Sequence, residues 1–169
     1  MIDQMPPPIT AGQIARGAAS VPRKVWLTLM EHGRALEWLT AFVLLNFAIT
    51  LALPGDTLAG GPAYRGFINL GLDEAALTLG LTILGVGRLA ALYINGAWRR
   101  SPHLRAAGAM AGGSVFVMLA VTFGWLWITG APGAPPGLGT GSLTYLTLGV
   151  FDFIAAYRSG ADARATRFH

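Results

Sequence analysis

Apolar residues along this chain fall into long blocks, broken by short stretches of Gly, Pro and charge. A block of about 20 such residues, wound as an α-helix, crosses the roughly 30 Å hydrocarbon core of a bilayer. Four blocks predict four spans at about 36–53, 73–98, 106–128 and 142–157, the last of them short for a crossing. The breaks between them have physical causes. Pro54-Gly55-Asp56 ends the first block, because Pro cannot continue the helical hydrogen-bond ladder. The loop that follows, 54–72, carries Gly, Pro, Tyr64 and Arg65, with Phe67–Leu72 dipping into the membrane interface. The stretch 129–141 (TGAPGAPPGLGTG) has no charge and too much Gly and Pro for a helix. The second block, which opens on Asp73-Glu74, contains Arg88 and runs on to the arginines of 99–105, is the one around which the others are arranged.

Ahead of the first span, residues 1–22 show no sustained period and read as a flexible N-terminus. A secretory signal would place its apolar core earlier and make it shorter. From Pro22 onward, Val25, Trp26, Leu29, Met30, Gly33 and Leu36 recur at steps of three and four, while Arg23, Lys24, Glu31 and Arg34 occupy other faces. Two readings stay open: a short amphipathic helix lying on the membrane with Trp26 at headgroup level, or a plain lead-in to the first span. The expected fold is all-α, a four-helix transmembrane bundle spanning 23–157 with a short amphipathic N-terminal helix, closed by a basic tail at 158–169.

Composition sharpens this picture. Of 169 residues, 53% are hydrophobic and 12% charged, against about 25% charged in an ordinary soluble domain. That leaves too little charge to cover a water-facing surface. There is no cysteine, which excludes disulfides, thiolate metal sites and cysteine nucleophiles. The net charge of +4 is spread in short clusters between apolar runs, whereas a nucleic-acid footprint would be a continuous basic face. Of the twelve Lys and Arg, ten fall before the first span, between the second and third, or after the fourth. Arg65 alone lies on the other side and Arg88 lies within a span. Basic residues are retained on the cytoplasmic side. The pattern therefore predicts both termini in the cytoplasm, which an even number of spans requires.

Arg88 is the first candidate for chemistry. A charge at the centre of a span costs about 2.5–3.5 kcal/mol on the insertion scale and needs a partner. Asp152 in the fourth span is the expected partner and Glu37 the second choice, since a guanidinium fork satisfies a carboxylate through two parallel hydrogen bonds. A structural ion pair is the favoured reading over a proton or anion relay, because the outer half of every span nearly lacks ionisable groups. Asn46 and Asn95 are placed to bond across helices. Small residues at Ala76/Gly80, Gly87/Ala91 and Gly108/Gly112 suit close helix packing, within one copy or between copies. Trp26, Trp98, Arg99, Arg100, Arg105, Trp125 and Trp127 suit interfacial anchors, and the basic ones suit anionic lipid headgroups.

Other chemistries find no support. His32, His103 and His169 all fall outside the spans, which disfavours an intramembrane haem. No phosphate loop, metal-ligand spacing or nucleophile–base set is present, so no cofactor, no metal and no enzyme activity are expected. Asp73-Glu74 are explained by the preference of acids for a helix N-terminus.

The strings LPGDT, GRLAALYINGAWRRSPHLRAAGA and FDFIAAYRSGADAR resemble uncharacterised four-span membrane proteins encoded by phages and prophages of proteobacteria, a resemblance that extends over most of the chain from about residue 26. The resemblance implies a bacterial inner membrane and transfers no functional residue. Three roles follow as expectations. One is a non-enzymatic membrane protein acting through helix packing or self-association, with a holin-like role as its sharpest form. Another is an accessory subunit of a larger membrane complex. The last is a small transporter or channel using Arg88 and Asp152.

Overall fold

Every regular element that can be traced is helical. The computed structural model describes residues 34–97, 101–134 and 136–165. The amphipathic lead-in with Trp26, and Trp98, Arg99 and Arg100, lie outside the described residues. The chain divides after Ala35, and the architecture below is that of the unit from Leu36 onward. Among the described residues are α1 (Ala35–Ala52), a 3-10 turn (Pro62–Tyr64), α2 (Arg65–Asn69), α3 (Glu74–Ala97), α4 (Pro102–Thr129) and α5 (Thr140–Ala165), with no strand.

Local chemistry sets the ends. Asp73 accepts the Ala76 N–H at 3.2 Å and caps α3. Beside it, Glu74 reaches back to the N–H groups of Thr57 and Leu58 at 3.3 and 3.4 Å, tying the loop to the head of the helix. Pro102 opens α4, where its missing N–H costs nothing. Gly130 closes α4 in the left-handed region, at φ 62°, and the Ala131 N–H bonds the Leu126 carbonyl at 3.2 Å. Between α3 and α4 the Asn95 side chain clasps the backbone of Ser101, donating to its carbonyl at 2.9 Å and accepting its N–H. Asn95 thus closes a turn instead of bonding across to another helix, and Asn46 faces outward.

Three helices are long and apolar enough to cross a membrane: α1, α3 over Glu74–Asn95, and α4. The sequence predicted a fourth at 142–157, and α5 is not among them. It is also longer than that range, continuing to Ala165 through the first two thirds of the supposed tail. Ala161, Ala163 and Ala165 are strong helix formers and nothing in that stretch stops the ladder.

Packing is closest between α4 and α5, and α3 lies against α4. The α4–α5 approach is made by glycines: Gly149 sits against the Gly113 carbonyl and the Phe116 and Val117 side chains, and Gly113 against the Phe153 ring. One end of the bundle is filled by rings. Phe123 stacks on Tyr145 with centroids 5.3 Å apart and meets Phe67 edge-on at 5.2 Å, while Phe47 and Tyr64 close the cluster. Phe67 comes from α2, inside the loop placed by sequence at the interface. It is fully buried, so the loop plugs the bundle. Gly66 makes this possible: a Cβ there would strike the Thr122 carbonyl of α4.

Truncation of the plug, Phe67→Ala, is expected to cost on the order of 3 kcal/mol, measured as unfolding in detergent. Gly66→Ala, which adds a single methyl but no room for it, should be at least as damaging and should lift the loop off α4.

Candidate functional site

Four helices meet at one buried point. Arg88 of α3 and Asp152 of α5 are 4% and 1% exposed. The guanidinium grips the carboxylate with both arms, Nη1 to Oδ2 at 2.6 Å and Nη2 to Oδ1 at 2.8 Å. Nη2 also donates to the Thr40 hydroxyl of α1 at 3.0 Å. That hydroxyl has one proton and two acceptors in reach, Asp152 Oδ1 at 2.8 Å and the Glu37 carbonyl at 3.1 Å. The fourth helix contributes an absence. A Cβ on Gly112 of α4 would overlap the Arg88 guanidinium and the Asp152 carboxylate, and one on Gly108 would touch the Arg88 side chain at 3.6 Å. The Gly108/Gly112 pair therefore packs within one copy, as the seat of the ion pair.

A second pair lies at the end of the bundle where α1 and α4 begin. Arg105 donates to both oxygens of Glu37, through Nε at 3.2 Å and through Nη2. The Glu37 and Arg105 side chains are 6% and 12% exposed. Two expectations are corrected here. Glu37 is not an alternative partner of Arg88, because Asp152 takes both arms of that guanidinium and Thr40 stands between. Arg105 is more than an interfacial anchor: it lies seven residues before Gly112, on the same face of α4, and points inward.

The small residues of α3 are likewise redistributed. A Cβ at Gly80 or Gly87 would meet nothing within 4 Å among the described residues, so neither glycine makes a close helix approach there. The close approach of α3 to α1 is at Gly85, against Leu45 and the Ala41 carbonyl. Gly85 lies three residues from Arg88 and close to its face; Gly80 and Gly87 lie on the other, exposed flank of the helix. Of the outer tryptophans, Trp125 is half-buried and Trp127 exposed.

Sequence reading missed Thr40, Gly113 and Gly149. Thr40 had a signal, its place three residues after Glu37 on one helix face. Gly113 and Gly149 had none, since each is one of several glycines in its helix. Chemically, the arrangement neutralises two buried charges against one another, each arm of the guanidinium matched to one carboxylate oxygen. Comparison with protein-family models, curated protein sequences and solved structures gave no match.

Removing one member strands the other. Arg88→Met is expected to cost about 3–5 kcal/mol, whereas Arg88→Met with Asp152→Leu should recover most of that loss. Thr40→Val should cost about 1–3 kcal/mol. Chemical unfolding in detergent micelles checks all three.

Proposed function

We propose that this chain is a four-span integral protein of a bacterial inner membrane, with both termini cytoplasmic, and that its work is done by helix contacts and not by catalysis. The observation that carries the reading is an inverted surface. Arg88, Asp152, Thr40, Thr122, Ser142 and Ser159 are buried, while Leu79, Ile83, Val86, Leu143, Phe151 and Tyr157 are exposed. Water as the outer solvent would favour the reverse. In lipid the outward face is at home, and the charged groups inside satisfy one another, Arg88 with Asp152 and Thr40.

The same argument supports α5 as the fourth span. Its average apolarity is lowered by Ser142, Gly149, Asp152 and Ser159, and these face inward. Toward the outside it presents Leu143, Leu146, Val150, Phe151, Ile154 and Tyr157, a band about 21 Å long at 1.5 Å per residue. Arg158 follows directly, placed to snorkel toward the interface. With α5 counted, Arg105, Arg158 and Arg164 fall at the end of the bundle where α4 begins and α5 finishes, and retention of positive charge makes that end cytoplasmic.

Self-association is favoured by the outward face of α3. Ala76, Gly80, Ile83, Gly87, Ala90 and Ile94 are all exposed and recur at steps of three and four. Small residues at such spacing let two helices approach closely in lipid.

The protein is expected to require detergent for a monodisperse solution, and a fluorescent protein fused after His169 should fold and emit while alkaline phosphatase fused there stays inactive. Solubility in plain buffer, or an active phosphatase, refutes the membrane reading or its orientation respectively. Joint substitution Gly80→Leu and Gly87→Leu should convert crosslinkable oligomers to monomers and leave thermal stability unchanged; an unchanged crosslinking ladder removes the self-association reading.

A further inference from the structure

We propose that the Arg88–Asp152 pair is reached by water from one end of the bundle only, through a small cavity behind the Glu37–Arg105 pair, and that this route ends blind at the pair. The inference rests on the membrane reading, which supplies the two compartments; the orientation proposed above enters only in calling that end cytoplasmic.

The cavity lies between α1, α3 and α4 and measures about 10 Å³, room for roughly one water. Its polar lining consists of Glu37, Arg88 and Arg105, and its apolar lining includes Ala91, Leu104 and Gly108. A water held in a protein interior needs two to four polar partners, and three charged side chains converge here. Exposure falls in order along the ladder, from 12% at Arg105 through 6% at Glu37 to 4% at Arg88 and 1% at Asp152. Each step inward passes from one charged group to the next, so a water at the cavity links the outer pair to the inner one.

Beyond Asp152 and Thr40 the character changes. The next buried layers are Leu44, Phe116 and Leu119, then the rings of Phe47, Phe67 and Phe123. Thr122, at that level, spends its hydroxyl on the Met118 carbonyl of its own helix at 2.8 Å. Phe67 of α2 seals the end. The polar path therefore has an entrance and no exit: the buried carboxylate exchanges water and protons with one compartment, and the bundle is not a pore.

The chain lacks cysteine, so an introduced residue supplies its sole thiol, the group that the maleimide count reads, and silver ion is a thiol-blocking probe small enough for narrow hydrated spaces. Oriented membrane vesicles carrying Ala91→Cys or Gly108→Cys are treated with silver ion from either side, and the thiols left free are then counted with a maleimide under denaturing conditions. His103→Cys, at an exposed position near the start of α4, marks the end of the bundle; Ala48→Cys, 1% exposed in the apolar half, tests the blind end. Block of Ala91→Cys and Gly108→Cys from the side that blocks His103→Cys, with Ala48→Cys free from both sides, is the expected result. Protection of both lining positions from both sides overturns the proposal, as does block from both sides or block of Ala48→Cys. Should His103→Cys be reached from the outer face, the orientation proposed above fails, while one-sided access stands if the lining positions follow it.

Discussion

A guanidinium held out of water dictates much of this architecture. Arg88 cannot be left unpaired in a low-dielectric interior, where an uncompensated charge costs several kcal/mol. Its demand is met by three helices besides its own: α5 supplies the carboxylate, α1 the hydroxyl, and α4 the space. Each contribution fixes a register. Asp152 sets the height and rotation of α5, Thr40 those of α1, and Gly112 the distance of α4. Apolar packing alone specifies such registers poorly, because one leucine fits beside another at many settings, whereas a two-armed guanidinium–carboxylate pair has one geometry.

The distribution of polarity follows from the same demand. α5 is the clearest case, since its inner stripe is made of Ser142, Tyr145, Gly149, Asp152, Ala156 and Ser159, while its outer face carries large aliphatic and aromatic side chains together with Thr144 and Thr147. Averaged along the sequence these cancel, and the helix does not stand out as α1, α3 and α4 do. Resolved by direction, they describe an element whose apolar side looks away from its neighbours. Burial of small and polar residues also explains how α4 and α5 come so close, with Gly113 and Gly149 at the point of contact.

How much of this was legible in the sequence depends on the range of the interaction. Helix positions for α1, α3 and α4 followed from block length and from Pro54, Asp73 and Gly130, all local signals. The proximity of Arg88 and Asp152 was legible too, because the cost of a lone charge leaves few partners. The partner of Glu37 was not, since the inward turn of Arg105 depends on which face of α4 meets α1. Gly80, Gly85 and Gly87 look alike as letters. Only the rotation of α3, fixed by Arg88, assigns Gly85 to the interior and the other two to the outside. The extent of α5 was misjudged because charge at Arg158 was taken as the end of a span, while helix propensity carries on past it.

The short helix from Arg65 to Asn69 has a bearing on how the molecule is put together. It precedes α3 in the chain, but its seat is on α4, where Gly66 crosses Thr122 and the Phe67 ring enters among side chains made later in synthesis. A ribosome that has delivered only α1 and α3 has produced the peg without the hole. The first loop must wait for downstream sequence, so closure of that end of the bundle is a late event, and any chain interrupted before α4 retains an unfilled core and an aromatic side chain with nowhere to go.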